Sequence, residues 1–198
     1  MSSARTDATR RIYPGRAMAV VIASNLRKEL AEELFSTGGS AEAIASGVAL
    51  RTSGLLADWQ ERLADYPKEL AAERIEKAAE RWGGFAPEGL LTLVREDVRL
   101  ARMQWLVESA ERMLAIVFAL NRVHEPTAKR LAARIEPLAI KPERLAERID
   151  DALAKPDPRR ALLTMTELQL DVVKLAPSGP NVDRARSWLT AGVQLLRD

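Results

Sequence analysis

The chain has 198 residues, 29% charged and 47% apolar, with a formal net charge of +2. That balance belongs to a folded polypeptide with a sizeable core and excludes a wholly disordered one, and the length suits one ordinary domain. Cysteine is absent and His124 is the one histidine, which excludes disulfides, thiol nucleophiles, thiolate zinc sites and the two-histidine metalloprotease helix.

Residues 1–16 set Arg5, Arg10, Arg11 and Arg16 against the single Asp7. This stretch accounts for the excess positive charge. It has no periodicity and contains Pro14 and Gly15, so it reads as a mobile basic arm. The remainder is near neutral, and no nucleic-acid partner is expected because phosphate neutralisation needs a concentrated basic surface. Ala17 to Ala23, AMAVVIA, resembles the apolar part of a short secretory signal, and Arg10 with Arg11 resembles a twin-arginine signal. Met18, Ile22, Leu26, Leu30 and Leu34, however, continue one apolar stripe past any cleavage point, which favours an amphipathic helix over 17–35. No apolar run approaches the roughly 20 residues that span a bilayer. No membrane partner is expected, and a cytoplasmic location is.

Ser36 to Ser40, STGGS, reads as a flexible break, followed by a short helical piece over 41–46. Residues 47–51 are the only candidate for an extended segment. Ser53 can cap a helix with Leu55, Leu56, Trp59 and Leu63 on one side. Pro67 suits a first helical position. Leu70, Ala71, Ile75, Ala78 and Trp82 then form a stripe that Gly83 and Gly84 stop. Pro87 opens a long helical stretch to about Arg122, bent near Leu93. Within it Val107, Ala110, Leu114, Val117 and Leu120 point to a core. A short helix follows over 127–135 and ends at Pro137. Pro142 starts the next, with Leu145, Ile149 and Leu153 inward, and Lys155 to Pro158 closes it. Leu162, Met165, Leu168, Val172 and Leu175 mark another. After the break at 177–180, Asn181 caps a last helix bearing Ala185, Trp188, Leu189 and Leu196. Short connections favour antiparallel packing. The expected fold is all-α, a single bundle of about seven to eight helices around one long central helix, spanning 17–198.

Chemistry-bearing motifs are scarce. There is no Walker sequence, no G-x-G-x-x-G after a strand and no serine-hydrolase elbow. No two acids stand at i and i+2, so the Asp-x-Asp pair of two-metal phosphoryl transfer is missing. No metal ligands, catalytic residues or cofactor are expected. His124 reads as a surface histidine in a turn. An RNase of the helical toxin class is disfavoured because Arg122 and Arg112 precede His124 at the wrong spacings. The four tryptophans fall in or beside apolar stripes and read as packing residues.

Arg95, Arg99 and Arg102 share a helical face that would suit an anion, although Glu96 and Asp97 beside them also fit an ordinary solvated surface. The end of the long helix offers Asn121, Arg122 and Lys129. These either bind a ligand or simply satisfy the last helix carbonyls.

The runs GLLADWQERLADYPKEL, REDVRLARMQWL and FALNRVHEPTAKRLAARI resemble the helical C-terminal domain, of unknown function, of bacterial nucleotidyltransferase-like proteins of the aminoglycoside-nucleotidyltransferase type. The resemblance covers about Ile44 to Leu175. Its distinctive pieces are Asp65-Tyr66-Pro67, Arg95 with Asp97, and Ala119-Leu120-Asn121-Arg122 with Pro126 and Lys129. It implies a substrate-side or scaffold half, with Asp97, Asn121, Arg122 and Lys129 as the residues carried over; Arg99, from the arginine face, joins them as an expected ligand-binding residue. The Gly-Ser and Asp-x-Asp catalytic core that precedes this part in the family is absent. An aminoglycoside would call for a dense acidic surface, and the charge here is mixed. The expected function is a non-catalytic helical domain that either helps hold a nucleotide or small substrate with a catalytic nucleotidyltransferase partner or stands as a degenerate remnant of one. The alternative is a self-associating helical module, a homo-oligomer without a small ligand.

Overall fold

The structure is a computed structural model and describes residue 44 and residues 55–82, 87–126 and 131–198. The arm 1–16, the helix 17–35, the break 36–40, the helical piece 41–46 apart from Ile44, the segment 47–51, the Ser53 cap, the side chains of Leu55 and Leu56, the Gly83–Gly84 stop and Lys129 lie outside the described residues. Among the described residues, eight α-helices and one 3-10 turn make up the ordered elements, with no strand. The class is all-α, as the sequence predicts. No described helix is long and apolar enough to cross a membrane.

The chain divides into two compact units, Met1–Asp65 and Tyr66–Asp198. In the first, α1 (Leu55–Ala64) buries Trp59 and Leu63, and Gln60 Nε2 donates to the Ile44 carbonyl at 3.1 Å.

The second unit is organised by α2 (Lys68–Glu80), α3 (Gly89–Leu93), α4 (Arg99–Leu120), α5 (Leu131–Ile135), α6 (Leu145–Ala154), α7 (Pro158–Leu175) and α8 (Pro180–Arg197). Both α2 and α7 pack on α4, and α8 packs on α7 and back on α2, which closes a ring of four helices. Their apolar faces meet in one core containing Ile75 and Ala79, Leu106, Met113 and Val117, Leu162 and Met165, and Val182 and Leu189. The helix α6 lies against α7 and α4 through Leu145, Ile149 and Ala152. The short α3 sends Leu90 into the core, where a Cβ at Gly192 would stand 2.9 Å from Leu90 Cδ1. Glycine at that position lets α3 and α8 approach.

The stretch expected as one bent helix is broken. Arg95 is extended (ψ 143°), a 3-10 turn covers Glu96–Val98, and α4 begins anew at Arg99. Arg102 turns inward, 6% exposed, and its Nη1 donates to the carbonyls of Leu93 and Arg95, each at 3.0 Å. One guanidinium therefore takes up carbonyls that the break leaves without helical partners. Along α4, Ala110, Leu114 and Val117 are buried as expected, but Val107 is 44% exposed. In this half of the helix the core side runs through Arg102, Leu106, Ser109 and Met113, and Val107 is turned about 100° from Leu106.

Helix starts follow local chemistry in α7, where Asp157 accepts from the Arg160 N–H at 2.7 Å and Pro158 occupies the first turn. The start of α6 is later than expected, at Leu145. Arg144 adopts a left-handed backbone (φ 53°), and Lys141 Nζ holds the preceding turn by donating to the carbonyls of Glu136 and Leu138. The start of α8 also differs. Its cap position is Gly179, not Asn181, and the acceptor comes from α2: Glu76 receives the N–H of Asn181 at 2.9 Å and of Val182 at 3.4 Å.

A Cβ at Gly179 would overlap the Glu76 carboxylate. Glu76→Ala is expected to cost about 1–2 kcal/mol of stability in urea unfolding, the range for a lost N-cap with its dipole contribution. Gly179→Ala should also destabilise, and its cost should fall in the Glu76→Ala background, because the overlap is then gone.

Candidate functional site

The residues carried over from the sequence do not converge. Asp97 precedes α4 and Asn121 follows it, so the two stand at opposite ends of a helix about 33 Å long. Asp97 accepts from Arg95 Nε (3.1 Å) and Nη2 (2.7 Å) in an exposed pair, an arrangement that contributes little to stability. Arg99 is exposed. With Arg102 buried and Arg95 paired, the three arginines do not form one anion-facing surface. Lys129 lies outside the described residues.

At the other end of α4, the N–H of Arg122 donates to Ala119 O at 3.0 Å and that of Val123 to Phe118 O at 3.0 Å. This pairing is a Schellman motif, with Arg122 (φ 52°) in the left-handed position that usually belongs to glycine. Asn121 Nδ2 donates to Val117 O and Ile140 O, both at 2.8 Å, and its Oδ1 accepts from Ile140 N at 2.9 Å. The amide thus pairs with Ile140 as a backbone unit would and ties the turn before α6 to the end of α4.

That turn directs the next residue inward. His124, expected at the surface, is 9% exposed, and its ring lies 4.9 Å from that of Tyr66. The reversal at Arg122 folds the chain back toward the start of α2, which is why a histidine in a turn becomes buried. Arg74 sits over the Tyr66 ring at 5.8 Å. Burial raises the Glu125 carboxyl above its ordinary range, Arg74 opposes the rise, and Glu111 adds to it. The Tyr66 phenol is likewise raised, mainly by burial. Sequence spacing gave no sign of this cluster, because Tyr66 and His124 are neighbours only through packing.

A second arrangement joins the end of α2 with α3, α4 and α8. An open cleft of about 510 Å³ is lined by Arg81, Trp82, Leu93, Ala101, Gln104, Trp105, Glu108, Arg112 and Trp188. Trp82 and Trp188 are buried walls, and Trp105 is half-buried. The Trp82 indole N–H finds no acceptor among the described residues. Glu108 is fixed on both oxygens: Oε2 accepts from Arg112 Nη2 at 2.5 Å and Oε1 from Gln104 Nε2 at 2.9 Å. The tryptophans are packing residues, as expected, but the convergence of three of the four on one cleft was not legible in the sequence. Among the described residues no three of His, Cys, Asp and Glu gather into a group that could hold a metal ion.

Residues 36–131 match a family described as a domain of unknown function (DUF4037). No curated protein and no solved structure matches the chain. The matched stretch contains every cleft residue except Trp188, and both Tyr66 and His124. The family's description names no activity.

Two outcomes follow from the junction. Arg122→Gly is expected to stabilise the protein by about 1 kcal/mol, the cost of a left-handed backbone at a residue with a Cβ, measured by urea unfolding. The raised Glu125 carboxyl means that the folded protein holds this proton more tightly than the unfolded chain does. Its ionised form therefore destabilises the fold at neutral pH, and that effect is relieved as pH falls through the raised value toward the ordinary 4.5. Glu125→Gln should raise Tm at neutral pH, with the gain disappearing near pH 4.5.

Proposed function

We propose that the unit Tyr66–Asp198 is a ligand-holding module, the substrate-side half of a nucleotidyltransferase-like assembly. It seats a nucleotide or small substrate in the tryptophan cleft while a catalytic partner supplies the carboxylates for metal-dependent transfer. The observation that carries this reading is the cleft itself. Its volume lies in the range that small ligands occupy, and its wall combines aromatic surface with a few fixed polar groups. The end of α2 and the helices α3, α4 and α8 contribute to it, so buried core residues such as Trp82, Leu93 and Trp188 help set its shape. The sequence resemblance supplies the expectation of a nucleotide, and the cleft supplies a place for a flat ring.

A second reading, self-association, is favoured by the strip of α4 next to the cleft. Leu100 (84% exposed), Met103 and Val107 recur at i, i+3 and i+7, and Leu91 is also exposed. These four side chains are few beside the roughly 800 Å² per partner of a standard interface, so the cleft reading ranks first.

Titrating the full chain with ATP, GTP, CTP and UTP in the presence of Mg²⁺ tests the proposal. A ligand at about a hundred times its Kd should raise Tm by about 5–10 °C and quench the fluorescence of the cleft tryptophans. Sedimentation of the same samples separates the second reading, which expects a concentration-dependent dimer instead. Neither quenching nor a Tm rise with any triphosphate would dismiss the nucleotide reading.

A further inference from the structure

Resting on the cleft as a ligand site, we infer that it takes its ligand as an anion and that Arg81 reads the charge. The fitting ligand is a flat aromatic ring carrying a carboxylate or phosphate.

The cleft holds three charged side chains, Arg81, Arg112 and Glu108. Arg112 and Glu108 neutralise each other across 2.5 Å, and the second Glu108 oxygen is occupied by Gln104. Arg81 is left. It stands at the C-cap of α2, is exposed, and its guanidinium makes neither an ion pair nor a hydrogen bond among the described residues. The cleft therefore presents one uncompensated positive charge beside indole surface. Indole faces by themselves attract cations, and three tryptophans with a carboxylate would suit a quaternary ammonium. Here the carboxylate is already spent on Arg112 and Gln104, and a cation entering the cleft would face the free guanidinium. An anionic group instead gains a charge-assisted, two-point hydrogen bond from the planar fork of Arg81 while its ring rests on Trp105, the one cleft indole that is only partly buried. Position strengthens the case. Arg81 directly precedes Trp82 and closes the end of α2, so its Cα is fixed by the same helix that builds the wall.

The test compares matched pairs that differ in charge, AMP against adenosine and benzoate against benzyl alcohol, with phenyltrimethylammonium as the cationic probe. Each is titrated calorimetrically into the full chain at low salt. The anionic member of each pair should bind about ten- to a hundredfold more tightly, the range for one charge-assisted hydrogen bond. Arg81→Gln should erase that preference without moving Tm, and Arg81→Lys should keep part of it. Arg160→Gln, an exposed arginine elsewhere on α7, should leave the preference intact and so excludes a net-charge effect. Equal affinity within each pair, a preference for the ammonium probe, or an Arg81→Gln variant that keeps the preference would overturn the inference while leaving the cleft as a ligand site. Failure of every probe to bind would overturn both.

Discussion

The ring of four helices closes where the Glu76 carboxylate meets the first turn of α8. An α-helix begins with N–H groups that have no partner inside the helix and with the positive end of its dipole, and α8 begins with Gly179 and Pro180, which supply no side-chain acceptor. Glu76 answers both needs at once. It reaches from the middle of α2 to two successive N–H groups and joins segments 105 residues apart. The Asn181 side chain returns the contact by donating to the Glu76 carbonyl at 3.4 Å. Burial of apolar surface drives the four helices together, but it is non-directional. The carboxylate fixes where along α2 the last helix starts.

Everything on α8 inherits that register. Trp188 lies about two and a half turns beyond the cap, and Gly192 about one turn further, where Leu90 of α3 fills the space a side chain would take. The far end is held as well, by Arg159 Nη1 on the Leu196 carbonyl at 3.3 Å and by Arg197 with Glu167 at 2.6 Å. The cleft wall formed by Trp188 is therefore fixed from both sides. The opposite wall, Arg81 and Trp82, is the end of the same helix that carries Glu76. One polar contact thus caps α8 and ties it to the helix that ends at the other wall.

The all-α class and the later helices were legible in the sequence because each has its own stripe and its own punctuation. Asp157 before Pro158 is the clearest case, since cap and first-turn proline are adjacent in the chain. Legibility ended wherever a partner is distant. Nothing near Asn181 indicates that its helix is capped from α2. Arg102 looks like one of three surface arginines, and only the break at Arg95 explains why it is buried. Val107 belongs to a periodic stripe, but the helices that pack on α4 select a neighbouring stripe in that half. Arg122 in a left-handed conformation breaks the usual preference for glycine, and His124, two residues on, is buried against Tyr66, a neighbour only through packing.

The same contrast bears on where function lies. Asn121, Arg122 and Asp97 stand out in the sequence because helix ends need particular chemistry: an amide that both donates and accepts, a residue able to turn, a carboxylate beside an arginine. Those demands are met within the fold, as the hydrogen bonds of Asn121 account for both ends of its amide. The cleft residues have the opposite character. Arg81, Trp105 and Arg112 look ordinary, because a surface shared by several helices imposes no spacing along any one of them. A conspicuous residue whose hydrogen bonds are all satisfied internally has little left to offer a ligand. Arg81, whose guanidinium has no partner among the described residues, keeps its full charge beside an aromatic wall, and that contrast is what supports the proposed reading of the cleft over one at the helix ends.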